Sequence, residues 1–403
     1  MAARYWKETL ALLIGLLAAI FFAETVTRFY FAWSVGPRVL LYGTDWYRNV
    51  DPPAAEKRTS ITESEYKEAT AEWARKDSVE VHGRALKGYN KFFPNELKTT
   101  KDADTGERIP VTINSRGFRG KEFEEKKAPG VIRVLTMGSS STFGYYDRDN
   151  ETYPYYLEQA LNSSCKSGPR FEVINFAIPH AGIDNIAAMF FAEGIGLAPD
   201  VVTLYEGRND STVAKKINGV WDKAYAVMVH RLLLVAFIDQ TLVGERVSLT
   251  DPSLQLGPQA EQRSRAYFDK LTTIFEAAQK AGIKLIVASQ QATSKSPLPG
   301  AVQERLALRG VTYAEEAESI RRRMERNGDV TAYEFSFLVH QRLMQDLKPW
   351  AEKRGVPFVD VISALDKDRH YLLSWVHLHP EANRVIAAKY SEAILNQFCA
   401  SAK

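Results

Sequence analysis

VIRVLTMGSSSTFGYY, residues 131–146, carries a β-branched, largely apolar run into Gly138, three serines, Thr142 and Gly144. A near-continuous apolar run of this kind is a strand buried on both faces, the pattern of a parallel sheet covered by helices. The two glycines permit a tight strand-to-helix turn at its carboxyl end, which is where open α/β sheets bind their ligands. A helix starting there aims free N–H groups and a positive dipole at whatever sits above the serines. The turn is not a phosphate loop, because no lysine follows the second glycine. Nor is it a G-x-S-x-G elbow, because Thr142 stands where that motif ends in glycine.

The same strand pattern recurs outward along the chain. FEVINFA (171–177), DVVTLYE (200–206), IKLIVAS (283–289) and PFVDV (357–361) are separated by segments of helical periodicity. They predict a central parallel sheet of about five strands with helices on both faces. The residues just beyond each run then matter most. The second run leads through His180 and Ala181 to Gly182, and the third ends in Gly207-Arg208-Asn209-Asp210. Near the C-terminus, Ser374-Trp375-Val376-His377-Leu378-His379-Pro380 opens a final amphipathic helix running through Val385, Ile386 and Ile394.

A serine after the first strand, a glycine after the second, Gly-x-Asn after the third and a late histidine stand in one order. In these residues, over about 130–398, the chain resembles the SGNH (GDSL-like) hydrolase superfamily. The resemblance implies a flavodoxin-like three-layer α/β/α fold, with Ser140 as nucleophile and His377 as general base. It implies an oxyanion hole built from the Ser140 N–H, the Gly182 N–H and the Asn209 amide, and neither cofactor nor metal. A serine hydroxyl needs a neighbouring imidazole to take its proton, and donors fixed where negative charge develops lower the barrier. Two positions depart from the family pattern. Ser139 stands where the family has an aspartate, and Ser374 stands in place of the triad acid, three residues before the histidine. A Ser140–His377 dyad is therefore expected, with Asp366, Asp368 or Asp210 as substitute acids and Ser374 and Asp210 as supporting groups.

Neighbours of these residues carry alternatives. Arg208 and Asp210 flank Asn209 and either form a salt bridge that stiffens the loop or touch substrate, while Glu206 supports the same loop. His377-x-His379 with His180 supplies three imidazoles, but alternate positions on a turn face apart, so His379 is expected to pack rather than bind zinc. Ser141 and Thr142 are expected to satisfy the turn and the helix start.

The ends of the chain place this domain. Between Glu8 and Glu24 lie only uncharged residues, TLALLIGLLAAIFFA, flanked by Tyr5 and Trp6 on one side and Phe29, Tyr30, Phe31 and Trp33 on the other. The run alone covers about 22 Å as a helix, and the aromatic flanks extend it as interfacial belts do. Glu24 and Arg28, four apart, are placed to pair. The expectation is a retained transmembrane anchor over residues 1–33, against a cleaved signal peptide or a core helix as alternatives. Arg4 and Lys7 orient the N-terminus inward, which leaves the remainder extracytoplasmic. Residues 34–130 form a neck or small cap with one helix over 62–76, and 131–403 the hydrolase-like domain. An apolar patch, LLLVAFI (232–238), is a core helix or a lid, and 291–330 is a polar excursion over one face.

Composition narrows the function further. Among 403 residues, 52 basic against 49 acidic side chains give a formal charge of +3, and no basic run is interleaved with aromatics, which argues against nucleic acid. Cys165 and Cys399 are enough for one bridge but not for a cysteine-based metal site. Sequons at Asn150, Asn162 and Asn209 matter only where the source glycosylates. The expected activity is a membrane-anchored serine esterase or acyl hydrolase acting on an ester-bearing lipid or glycan. The alternatives are an O-acyltransferase using the same residues on an envelope polysaccharide or glycolipid, with an integral-membrane acyl donor as partner, and a non-catalytic glycan- or lipid-binding module.

Overall fold

The computed structural model describes residues 2–35, 78–81, 84–87, 89, 91–92, 94–95, 98–102, 108–166, 168–212, 234, 246–248, 256–294 and 308–399. The helix expected over 62–76 and most of the apolar stretch 220–244 lie outside the described residues. The chain divides into two compact units, Met1–Ala54 with Ala214–Arg246, and Ala55–Val213 with Val247–Lys403.

In the first unit, helix α1 (Ala2–Val35) contains Thr9–Tyr30, 22 residues of mean hydropathy 2.2 that are almost wholly exposed. It is long and apolar enough to cross a membrane. Its buried Glu24 is satisfied locally: the carboxylate accepts from Arg28 Nε at 2.7 Å, the pair expected from the spacing, and from the Leu234 N–H at 2.8 Å. A carboxylate on an apolar helix is tolerated when it is paired in this way.

The second unit is built on five parallel strands, β1 (Val131–Gly138), β2 (Arg170–Ala177), β3 (Val201–Tyr205), β4 (Lys284–Ala288) and β5 (Phe358–Val359), in the order β5-β4-β3-β1-β2. Side chains alternate across the sheet, so each strand feeds two cores. Leu135, Met137, Val202 and Leu204 face α4 (Ile183–Met189), α6 (Leu256–Lys280) and α8 (Ala332–Arg354). Val134, Val173, Val201 and Tyr205 face α3 (Tyr153–Ser164) and α10 (Pro380–Phe398). The result is the expected three-layer α/β/α arrangement, and each fully buried aliphatic side chain in it contributes about 1.5–3 kcal/mol.

The strand order positions the site. The direction in which successive strands are added reverses between β1 and β3, since β2 lies to one side of β1 and β3, β4 and β5 to the other. This makes the crevice beyond the carboxyl ends of β1 and β3 a topological switch point. Register levels those ends, because Gly138 pairs with Ala177 on one side and with Tyr205 on the other. Ser139, Ile178 and Glu206 therefore leave the sheet at one height.

Two further features tie the unit together. Phe118 and Phe123, upstream of the sheet, are buried in the first core. Cys165, just after α3, and Cys399, just after α10, form a disulfide that joins the two helices covering the second core.

Candidate active site

The serine turn depends on its glycines. Ser139 precedes the single-turn helix α2 (Ser140–Phe143), and a Cβ on Gly138 would lie 2.0 Å from Thr142 Oγ1 and 2.7 Å from the Tyr205 carbonyl. Gly144 closes the turn at φ 87°, a left-handed value that suits glycine. So short a helix leaves its carbonyls open, and two buried side chains fill them. Arg119 donates Nη1 to the Phe143 carbonyl at 3.0 Å and to that of Gly144, and Nη2 to the Asp147 carbonyl at 2.6 Å. Asn175 Nδ2 donates to the carbonyls of Thr142 and Phe143, both at 3.2 Å.

Ser141 and Thr142 act differently from the expectation that they serve the helix start. Ser141 Oγ reaches across to the Val376 carbonyl at 2.9 Å, and Thr142 Oγ1 donates to that of Tyr205 at 3.3 Å. Both hydroxyls face inward from a turn packed against β3 and the histidine loop, so they pin it to its neighbours. The Ser140 side chain forms no hydrogen bond among the described residues, and the residue is 9% exposed.

His377 comes to this turn on a tight loop. Leu373 N–H donates to the His377 carbonyl at 2.7 Å, and His379 N–H to that of Tyr371 at 2.8 Å. Ser374 Oγ lies 2.6 Å from His377 Nδ1 and also accepts the His377 backbone N–H at 3.2 Å. Nε2 is buried without a hydrogen-bond partner among the described residues. Tyr145 and Tyr146 pack on the ring at centroid distances of 5.2 and 5.1 Å. Burial, aided by the nearby His180, pushes the imidazole pKa down to about 3, so the ring is neutral at ordinary pH. A hydroxyl occupies the orienting position. Asp366 is committed to the Tyr313 N–H at 2.9 Å and to Gln291 Nε2 at 3.2 Å. Asp210 accepts the Ile183 N–H at 3.0 Å. His379 caps α10 by accepting the Glu381 N–H at 3.3 Å, a packing role.

Two of the three donors expected for an oxyanion hole, the Asn209 amide and the Gly182 N–H, have partners. Asn209, on the short helix α5 (Arg208–Ser211), donates Nδ2 to Ser139 Oγ at 2.6 Å and to the Ala181 carbonyl at 2.8 Å. The Gly182 N–H makes a long contact of 3.4 Å with Asn185 Oδ1. His180, two residues earlier, is held at φ 67°, a sparsely populated conformation of the kind that clusters at functional sites. Beneath the hole, Glu206 accepts the Asn209 N–H at 3.1 Å and hydrogen-bonds Ser139. Burial, then the field of Asp210, raises the Glu206 pKa to about 8, and burial raises that of Asp210 to about 7. Arg208 and Asp210 form no salt bridge, since residues two apart on a helical turn do not face each other. Asp210 turns instead to Ile183 and Arg208 to Ser211 Oγ at 3.2 Å.

Thus the loops of Ser140, Gly182 and Asn209 leave the sheet together and are linked through their immediate neighbours, and Ser141 ties them to the loop that carries Ser374 and His377, with Asp210 beside Asn209. Sequence reasoning did not find Arg119, Tyr145 or Tyr146. The second of two arginines in NSRGFRG (114–120) carries no periodic signal, though the glycines around it mark a shaped turn. Among the described residues no three His, Cys, Asp or Glu side chains converge as a metal site.

The chain matches the model of the GDSL-like Lipase/Acylhydrolase family over residues 136–385. Similar solved structures include a GDSL-like lipase from Bacteroides thetaiotaomicron, 15% identical, covering 66% of this chain and 88% of its own, with a TM-score of 0.38. An acetyl xylan esterase, AlAXEase, is 14% identical and covers 65% of this chain and 100% of its own at a TM-score of 0.37. The aryl esterase of M. smegmatis is 14% identical and covers 66% and 99% at 0.39. No curated protein matches the chain.

Proposed function

The chain belongs to the GDSL-like lipase/acylhydrolase family, and we propose that within it this protein is a serine esterase acting through a Ser140–His377 dyad. The observation that carries the reading is the pairing of His377 Nδ1 with Ser374 Oγ at 2.6 Å, which leaves Nε2 unspent. With the proton on Nδ1 donated to Ser374, the Nε2 lone pair is the base. It takes the Ser140 proton as Oγ attacks an ester carbonyl, then returns it to the leaving alcohol, and water releases the acyl group in a second round. Charge on the tetrahedral oxygen is met by the N–H groups of Ser140 and Gly182 and by the Asn209 amide, which lets go of Ser139 or Ala181 to do so. A neutral hydroxyl stabilises imidazolium less than a carboxylate does, so turnover is slow relative to a full triad.

The disulfide supports an oxidising, extracytoplasmic location for the second unit, and α1 a single-pass anchor. Tyr145, 41% exposed beside His377, supplies an aromatic face on which a sugar ring can lie. That favours a glycan ester as substrate, or a glycan hydroxyl as acceptor if a membrane acyl donor charges Ser140.

The test is intact-mass analysis of the full-length chain in non-ionic detergent after exposure to a fluorophosphonate. One adduct mapping to Ser140 is expected. An adduct on another residue, or none while a control serine hydrolase labels in the same tube, would sink the assignment.

A further inference from the structure

Arg208 lies next to Asn209, and its side chain is nearly sealed from solvent, the residue being 4% exposed. A guanidinium offers five N–H donors. Here Nη1 donates to Ser211 Oγ at 3.2 Å, while Nε is buried with no hydrogen-bond partner among the described residues. No described acid forms an ion pair with it. The acid whose field reaches it is Glu206, which burial keeps protonated at neutral pH. His340 on α8 faces the same region: its Nε2 is also buried and unpartnered, its Nδ1 is held by the Tyr313 hydroxyl at 2.7 Å, and burial with the Arg208 charge keeps its ring neutral. A buried cation without a counter-charge is strongly destabilising, and orphaned buried nitrogens mark a missing polar partner. One side leads outward. The guanidinium lies 5.9 Å from the Trp375 ring, and Trp375, two residues before His377, stacks on the half-exposed Tyr333 at 5.3 Å.

Resting on the esterase reading of the neighbouring serine, we propose that Arg208 anchors an anion subsite that takes a carboxylate or phosphate group of the ester substrate, reached along the Trp375 and Tyr333 rings. The substrate class is then an acyl ester of an acidic compound, held by a planar guanidinium suited to bidentate pairing with an oxyacid.

The experiment has two arms on the full-length chain in non-ionic detergent. In the first, kcat/KM is compared for 4-acetoxybenzoate and 4-acetoxybenzamide, which carry the same acyl group. The anionic ester is expected to be preferred about tenfold or more, the ratio one charge-assisted hydrogen bond supports, and the preference is expected to vanish in Arg208→Gln and survive in part in Arg208→Lys. In the second, glucuronate, glucose 6-phosphate and glucose are titrated calorimetrically. Binding of either anion but not of glucose, lost in Arg208→Gln, supports the subsite, and the tighter anion names the group. Turnover of both esters without preference, together with no anion binding, overturns the subsite while leaving the esterase intact. Anion binding without any ester turnover does the reverse. Because wild-type binding decides the matter by itself, a variant that fails to fold does not blunt the test.

Discussion

Ser374 Oγ lies 2.6 Å from His377 Nδ1, so a neutral hydroxyl holds the imidazole by the nitrogen that a carboxylate would otherwise take. Replacing it by an acid tests how much the missing charge matters. In Ser374→Asp the carboxylate favours imidazolium and raises the histidine pKa from about 3 by about 1–3 units. The acid limb of the pH–rate profile moves up accordingly. Turnover on a short ester should rise by about tenfold or more, part of the roughly 10⁴ that an orienting acid contributes in serine proteases. An unmoved acid limb would show that His377 is not the titrating base.

The three serines should separate cleanly. Ser140→Ala is expected to fold as the parent does and to lose the fluorophosphonate adduct, since its hydroxyl bonds no described residue. Ser141→Ala should keep the adduct. It deprives the buried Val376 carbonyl of its partner and so should lower unfolding free energy by about 1–3 kcal/mol in urea titration.

Stability should fall as pH rises through neutrality. Below the ordinary carboxyl range of about 4, Glu206 is protonated whether the chain is folded or not. From there to its folded value of about 8, the folded state holds the extra proton, so stability declines with pH. Asp210 and Asp147, each raised to about 7 by burial, act in the same direction. Glu206→Gln keeps the shape without the titration, and its melting temperature should vary less across this range than that of the parent. Parallel profiles would rule Glu206 out.

Arg119 should be among the most sensitive single positions outside the dyad. Its guanidinium, 1% exposed at the side chain, joins three carbonyls of the serine turn and Asp149, 3.0 Å from Nε. Arg119→Met leaves the Asp147 carbonyl without its donor, while the Phe143 carbonyl keeps Asn175 Nδ2 and the Gly144 carbonyl keeps the Asp147 N–H, and should cost about 1–3 kcal/mol. Arg119→Lys should recover only part, because one ammonium cannot reproduce the planar fork. Chemical denaturation of the two variants gives the comparison.

The strands were legible because each is apolar almost throughout, and burial on both faces demands that of β1 and β3. Topology singled out the loops after them, because ligand chemistry belongs at the carboxyl ends, while the choice of Ser140, Gly182, Asn209 and His377 came from the family resemblance. What stayed hidden is directional. Nothing in the spacing tells whether Ser141 serves its own helix or the Val376 carbonyl, nor that Asn209 spends both amide hydrogens on Ser139 and Ala181. The Arg208–Asp210 pair looked natural as a string of letters, but α5 sends the two side chains to different partners. Arg119 escaped because its partners are carbonyls, which every residue carries.

The Cys165–Cys399 bond, with a sequence separation of 234, closes a covalent ring through β2, β3, β4, β5 and every loop of the proposed site except the serine turn. A protease that cuts once anywhere inside that ring produces a nick, not two molecules. The severed ends stay tethered, and the serine turn stays joined to the histidine loop through Cys165. Limited digestion should therefore give one band on a non-reducing gel and two after a reductant is added.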